Sequence, residues 1–425
     1  MANNFNSNVV EDLARVFLEK FESSKVLSKS IDTQLIQGRF TPRTGGTVSV
    51  KRPTDFNAIR TSGGDISGST KSDVITGKAT AVVQDYITIA TEWSNIEEAL
   101  ESDQMEQLLA PMATRAVTTL ETSLAAYMRT NAGLSVGTPG SPVKEWSHVA
   151  GAGALMTSIG CPMDSEVFYA MNPFVATELA SAQSGLTAAD SLVRTAWEKA
   201  QISDSFGGLR AIAANTLSSI SDGGSFADRA GAFAGVPTQT YVSVKDTMIQ
   251  TWSIDGLQAN AVIVAGSVLE VTGRHYLNQS TRLPFVDGSG ARVKFRATVV
   301  ADVTIGADGA VDVVVTGPAV HEANGQYNTI DTAIADNDVV TVLGANGYTA
   351  QPNLFFQKQA FGLATVKLPK LYSTDTIATT EDGFSLRVSK YADGDANTQK
   401  VRFDLLPAFV TFNPFFAGLG YGTPA

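Results

Sequence analysis

Residues 56–73 read FNAIRTSGGDISGSTKSD. The stretch has too few apolar side chains for a core strand, and its glycines and serines disfavour a helix. Strand-like sequence lies on both sides, TVSVKRP at 47–53 and VITGKATAVVQDYITIATEW at 74–93. Gly45 and Gly46 mark a turn, after which Val48 and Val50 alternate with Thr47 and Ser49. Beyond the polar tip, Ile87 and Ile89 alternate with Tyr86 and Thr88, which reads as the return strand. Residues 41–92 are therefore expected to form a long two-stranded excursion with a polar tip.

The rest of the chain must fold around that excursion. A length of 425 residues predicts two or three packing units. Hydrophobic content of 44% and charged content of 17% are those of a folded protein. The 37 glycines and 21 phenylalanines point to much β-structure and many turns. A net charge of −11, without any Lys/Arg cluster, argues against gripping nucleic acid, which needs a basic face. The single cysteine, Cys161, leaves no internal disulfide and fits a reducing compartment. No secretion signal opens the chain, and no run reaches the ~18 apolar residues of a membrane span. No membrane association and synthesis in a cytoplasm are expected.

Along the chain, Asn8 with Glu11 reads as a capping box for an amphipathic helix carrying Val9, Leu13, Val16, Phe17 and Phe21. A helix is expected over 94–110, and Pro111 is expected to open a second, at 111–131. The stripe of that second helix includes Leu120, Leu124 and Tyr127, and at about 30 Å it is long enough for a structural spine. Mixed α/β sequence follows, with helices at 172–183 and 187–201 and a short strand in GGLRAIAAN, 207–215. GGSFADRAGAFAG, 223–235, reads as a small-residue linker. From there to 347 strand patterns dominate: SVLEVTG, ARVKFRA, DVVTVLG, and a hairpin in which Val303 and Val313 flank a turn at Asp308-Gly309. Such spacing predicts a small inserted barrel. The apolar segment 400–416 reads as buried strand, in which Pro407 and Pro414 favour an edge position or a break, and GLGYG at 418–422 reads as a flexible tail.

Chemistry is hard to find. His148, His275 and His321 lie far apart and read as structural. No metal-ligand spacing, nucleophile elbow, Walker motif or dinucleotide fingerprint occurs, and Cys161 in SIGCPMDS has no basic neighbour to activate it. No enzyme, cofactor or metal is expected.

Three stretches carry a resemblance: TGGTVSVKRPTDFNAIRTSGGDISG (44–68), LVRTAWEKAQISDSFGGLRAI (192–212) and RVSKYADGDANTQKVRFDLLPAFVTFNP (387–414). They resemble the major capsid (coat) proteins of short-tailed Salmonella and Shigella phages, with the Shigella-phage branch nearest. The similarity spans nearly the whole chain and is weakest between about 222 and 325. It implies an α+β chain with the Hong Kong 97-type capsid fold and an inserted small β-barrel domain. On this sequence the parts fall at 1–40 (N-terminal arm), 41–92 (E-loop), 93–133 (peripheral domain with spine helix), 134–221 (axial domain), 222–347 (insertion domain) and 348–425 (return to axial and peripheral domains).

The implied function is structural. Copies self-assemble with a scaffolding protein into pentamers and hexamers of a procapsid, and the icosahedral (T=7) head, joined by a portal protein, encloses double-stranded DNA without sequence-specific binding. The protein would be assembled in the host bacterial cytoplasm and end in the virion. The polar tip then has a use, since a loop unable to fold on its own subunit is ordered by a neighbour. Gly63 and Gly64 would supply the bends, and Arg60, Asp65, Lys71 and Asp73 charges for inter-subunit contacts. Residues 245–257 are a candidate for a further inter-capsomer loop. Lysine–asparagine cross-linking is not expected, because neither Lys71 nor Lys78 has an assignable acidic catalyst. An encapsulin-type bacterial compartment protein would share the fold but not the inserted barrel, and a tailspike enzyme would show repeated β-coils and paired carboxylates.

Overall fold

The computed structural model describes residues 25–40, 45–94, 105–163, 166–184, 205–223, 226–372, 375–380, 383–393, 395 and 397–423. The N-terminal helix with its Asn8/Glu11 cap, and the helix expected at 187–201, lie outside the described residues. Two compact units are formed, one from segments 1–50, 80–125 and 361–410, the other from 51–79, 126–360 and 411–425.

In the first unit, strands β1 (Thr47–Lys51) and β2 (Lys78–Val83) lie side by side in a four-stranded sheet completed by Pro407–Thr411 and Phe361–Thr365. The return strand of the excursion is thus β2, where Ala79 and Ala81 are buried. The expected return strand, β3 (Ile87–Ser94), instead pairs along its full length with Thr398–Leu405 at the edge of a second sheet. Alternation alone shows that a strand has two faces, not which neighbour it takes.

Helix α1, Met105–Asn131, runs unbroken through Pro111. Pro111 therefore does not open a helix; it sits in the second turn, where it costs one backbone bond. Ala113, Ala116, Val117, Leu120, Leu124 and Met128 form the buried stripe. Glu121 lies within that stripe and is only 1% exposed. Its carboxylate accepts from the backbone N–H groups of Val26 (3.3 Å), Leu27 (2.7 Å) and Ser28 (3.0 Å), and from the Ser28 hydroxyl at 2.5 Å. A buried carboxylate is tolerated only with such full satisfaction. Glu121 is what ties residues 26–28 to the helix.

Asp404, also fully buried, is the polar centre of the second sheet. It takes both Nε (3.1 Å) and Nη2 (2.6 Å) of Arg387, Nε of Arg402 (2.7 Å) and the hydroxyl of Thr88 (2.7 Å). Burial pushes its pKa upward, but the bonds from Thr88, Arg387 and Arg402 outweigh burial and hold it below the usual carboxylate range.

In the second unit a six-stranded mixed sheet runs in the order Leu134–Val136, Ala417–Gly420, Asn353–Gln357, Val167–Met171, Leu209–Ala213, Ser205–Phe206. GLGYG is no flexible tail. Leu419 and Tyr421 are buried, and Gly418 is required because a Cβ there would come within 2.1 Å of the Phe355 ring. Pro414 does break the preceding strand, opening the short 3-10 turn Pro414–Phe416.

The same unit contains a closed six-stranded barrel, in the order Ile249–Asp255, Val311–Thr316, Lys294–Val299, Val268–His275, Val339–Val342, Ala230–Phe233. Alternation along Ile249–Asp255 sends Gln250, Trp252 and Ile254 inward. Phe233 meets Trp252 edge-on at 5.3 Å, and Phe295 lies 5.0 Å from Tyr276, giving an aromatic interior. Two expectations change here. The supposed linker 223–235 supplies the strand that closes the barrel, bonding to Ile254–Asp255 on one side and Val339–Thr341 on the other. Its small residues are needed for close approach, since a Cβ on Gly231 would meet the Asp255 carbonyl oxygen at 2.5 Å. The Asp308-Gly309 turn forms, with Gly309 at φ +78° and Gly306 N–H donating to the Ala310 carbonyl at 2.9 Å. Val303, however, does not pair with Val313. It pairs with Ile263, and Val313 lies opposite Trp252. The partner of Val311–Thr316 on its other side is Lys294–Val299.

Replacing Glu121 by Ala strands three N–H groups and a hydroxyl, and should lower the unfolding free energy of the unassembled chain by about 3 kcal/mol, read from urea unfolding. Asp404 gives the first unit an acid limit. Its folded pKa lies below an unfolded value of about 3.9, so its contribution is complete above that pH and is lost as pH falls through the folded pKa. Thermal unfolding of wild type should weaken steeply below about pH 4, and Asp404→Asn should be less stable at neutral pH but show a shallower acid limb.

Candidate functional site

Between β1 and β2 the chain travels from residue 52 to residue 77 without regular structure. Arg60, Gly63, Gly64, Asp65, Lys71 and Asp73 are all exposed. Gly64 adopts φ +71°, and an added Cβ at Gly63 or Gly64 would meet nothing within 4 Å, so turn geometry rather than crowding calls for glycine. Among the described residues none of the four charged side chains forms an ion pair. The Asp65 carboxylate accepts the Ser67 N–H at 2.9 Å, and that bond lowers its pKa. Four large apolar side chains, Phe56, Ile59, Ile66 and Val74, also face solvent, Val74 at 72%.

The root of the loop, by contrast, is firmly built. The Tyr327 hydroxyl accepts the Asp55 N–H (3.1 Å) and donates to the Ile75 carbonyl (3.1 Å), so one phenol grips both limbs. Arg282 pairs with the Asp55 carboxylate at 2.5 Å, and the Asn57 amide donates to the Asn324 carbonyl at 2.7 Å. Gln326 donates to the carbonyl of Asp73 at 2.6 Å. Across the limbs, the Asn57 N–H reaches the Ser72 hydroxyl at 2.8 Å, and the Arg52 N–H reaches the Gly77 carbonyl at 2.9 Å. Gly77 has no space for a side chain, because a Cβ would sit 2.5 Å from the Lys245 carbonyl oxygen. Tyr327 is itself held by Tyr241, stacked at 3.7 Å and nearly parallel at 9°. Burial raises the pKa of the Tyr241 phenol, with Tyr327 adding to the effect.

None of Asp55, Tyr241, Arg282, Asn324, Gln326 or Tyr327 is marked by local sequence pattern as a loop anchor. They meet across some 270 positions of chain, as Asp55 and Tyr327 do. Residues 245–257, the candidate for a further inter-capsomer loop, are mostly the barrel strand Ile249–Asp255 with Trp252 fully buried. Of the spine residues, Leu120 and Leu124 are buried, whereas Tyr127 is half-buried and accepts a hydrogen bond from the Thr411 hydroxyl at 3.0 Å. The histidines have structural partners in two cases. His148 Nδ1 accepts the Glu145 N–H in a capping box on helix α2 (Trp146–Ile159), and His275 Nδ1 lies 2.8 Å from Asp331. Among the described residues no three His, Cys, Asp or Glu side chains could together hold a metal ion, and no helix is long and apolar enough to cross a membrane.

The loop is thus exposed along its tip and firmly bonded at its root. A family model described as "P22 coat protein - gene protein 5" matches residues 1–422. The chain belongs to the P22 coat protein family. A protein named "Major capsid protein" from Acyrthosiphon pisum secondary endosymbiont phage 1 is 44% identical over 427 aligned residues, covering 100% of both chains. Two solved structures are also similar. That titled "Mycobacterium phage Che8" is 11% identical, covering 93% of this chain and 90% of that one, at TM-score 0.45. "Capsid structure of the Cyanophage P-SCSP1u" is 10% identical, covering 94% and 88%, at TM-score 0.45. This P22-type coat protein is a structural phage capsid protein and a virion component, and its α+β chain carries a small closed barrel.

Tyr327→Phe removes the hydroxyl shared by residues 55 and 75. Limited proteolysis should then cut within 56–73 about tenfold faster, an effect matching a loss of about 1.4 kcal/mol in local opening, with the barrel untouched.

Proposed function

We propose that the loop from 52 to 77 is the E-loop of the shell, the element through which one subunit holds its neighbour. The observation that carries this reading is the contrast between its exposed tip, with charges that form no ion pair among the described residues and four solvent-facing apolar side chains, and its bonded root. A neighbour that covers Phe56, Ile59, Ile66 and Val74 gains apolar burial. Arg60, Asp65, Lys71 and Asp73 add rim pairs worth roughly 0–1 kcal/mol each. Individually weak contacts let a misplaced subunit leave, while their multiplicity holds the finished shell.

The wider assignment follows the same line. Residues 1–40 serve as the arm, 41–92 as the E-loop region, 93–133 as the peripheral domain with its spine, 134–221 as the axial domain, 222–347 as the insertion domain and 348–425 as the return. The protein assembles in the bacterial cytoplasm with a scaffolding protein, through a procapsid, into pentamers and hexamers of a T=7 head joined to a portal. The head encloses double-stranded DNA without sequence-specific binding, and a net charge of −11 suits a wall that must not adhere to its contents. The protein works without catalysis, and within the family its place is with the Shigella-phage branch. The closed barrel and the family match favour this reading over an encapsulin-type shell. The mixed sheets, in place of repeated β-coils, favour it over a tailspike.

Gly63→Pro/Gly64→Pro should abolish shells while leaving the subunit folded. The φ of +71° at Gly64 is closed to proline, and neither position contributes to a core. Electron microscopy of the variant expressed with the scaffolding protein, beside circular dichroism of the isolated chain, checks this. Normal particles from the variant would refute the loop's role.

A further inference from the structure

We propose that the cleft at the root of the loop is a binding site for a small organic carboxylate carrying an apolar body. The cleft has a volume of about 490 Å³ and lies wholly within the second unit. That is within the usual range of ligand sites, roughly 300–1,000 Å³. Its charged lining is unbalanced: two guanidinium groups, Arg52 and Arg282, face one carboxylate, Asp55, which Arg282 already engages.

Arg52 is the unsatisfied member. Its side chain is half-buried and, among the described residues, reaches only two backbone carbonyls, those of Lys78 at 3.4 Å and Thr411 at 3.3 Å. No carboxylate among the described residues pairs with it. Asp246 acts on it through space but is engaged by Lys245 at 2.7 Å. Burial accordingly lowers the Arg52 pKa, the mark of a cation removed from water without a counter-charge. Arg282 lines the same cleft and adds a second positive charge there, although its Nε is buried without a partner and its other nitrogens bond Asn328 and Asp55. A carboxylate head would supply what both groups lack, and guanidinium binds carboxylate in a two-pronged geometry.

The apolar part of the lining explains the apolar body. Met248, Val320, Phe412, Phe415 and Phe416 line the cleft. Inorganic phosphate would satisfy the arginines and leave this wall wet, whereas a phenyl or alkyl group would cover it. Occupancy would bear on the loop, since Arg52 and Asp55 are its first residues and Tyr327, which grips both limbs, also lines the cleft.

Isothermal titration calorimetry of the full, unassembled chain with 3-phenylpropionate is the test, with inorganic phosphate titrated alongside at equal ionic strength. Saturable binding of one 3-phenylpropionate per chain is expected, with phosphate much weaker and Arg52→Gln weakening the organic ligand by about tenfold. In wild type, 3-phenylpropionate should also shield Arg52 from phenylglyoxal, read by peptide mass spectrometry, a measurement that decides the matter even if the variant fails to fold. Absence of saturable binding, equal binding of phosphate, unchanged affinity in Arg52→Gln, or unaltered modification of Arg52 would each overturn the proposal.

Discussion

The hydroxyl of Tyr327 makes two hydrogen bonds, and through them the ends of a long exposed excursion are held side by side. Loop closure carries an entropic cost that grows only slowly with length. What matters is therefore less how long the tip is than how firmly its ends are fixed. Tyr241 stacking, the Arg282–Asp55 pair and the close approach demanded at Gly77 make the root rigid. The exposed tip therefore does not loosen the unit that carries it. A contact element needs both properties.

The rest of the molecule shows the same economy with polar groups. Glu121 and Asp404 are both buried carboxylates, and each is surrounded by enough donors to make burial tolerable. Glu121 uses backbone N–H groups, so it fixes a main-chain path. Asp404 uses side chains from neighbouring strands, so it fixes register.

Much of the architecture was legible in the sequence where pattern and geometry coincide. The polar tip, the apolar stripe through Leu120 and Leu124, and the alternation at Val311–Val315 each reflect a period set by the backbone itself. Legibility failed where small residues serve close packing. Ala230–Phe233 and Ala417–Gly420 look like linker and tail because they lack side chains, yet they lack them so that backbones and rings can approach. It failed also where partner choice is nonlocal. Nothing near Ile87 announces its pairing with Leu405, and nothing near Asp55 announces Tyr327. Of the site, the loop residues could be read from composition, but the anchors could not.

The barrel's closing strand carries a consequence for a protein that works in crowds. A sheet with an open margin offers its unpaired backbone to any strand nearby, and identical chains at high local density are the readiest takers. Here Gly231 permits the last gap to be sealed against Asp255, leaving the six strands with no such margin. The barrel can therefore lie among many identical chains without offering any of them an unpaired backbone strand of its own.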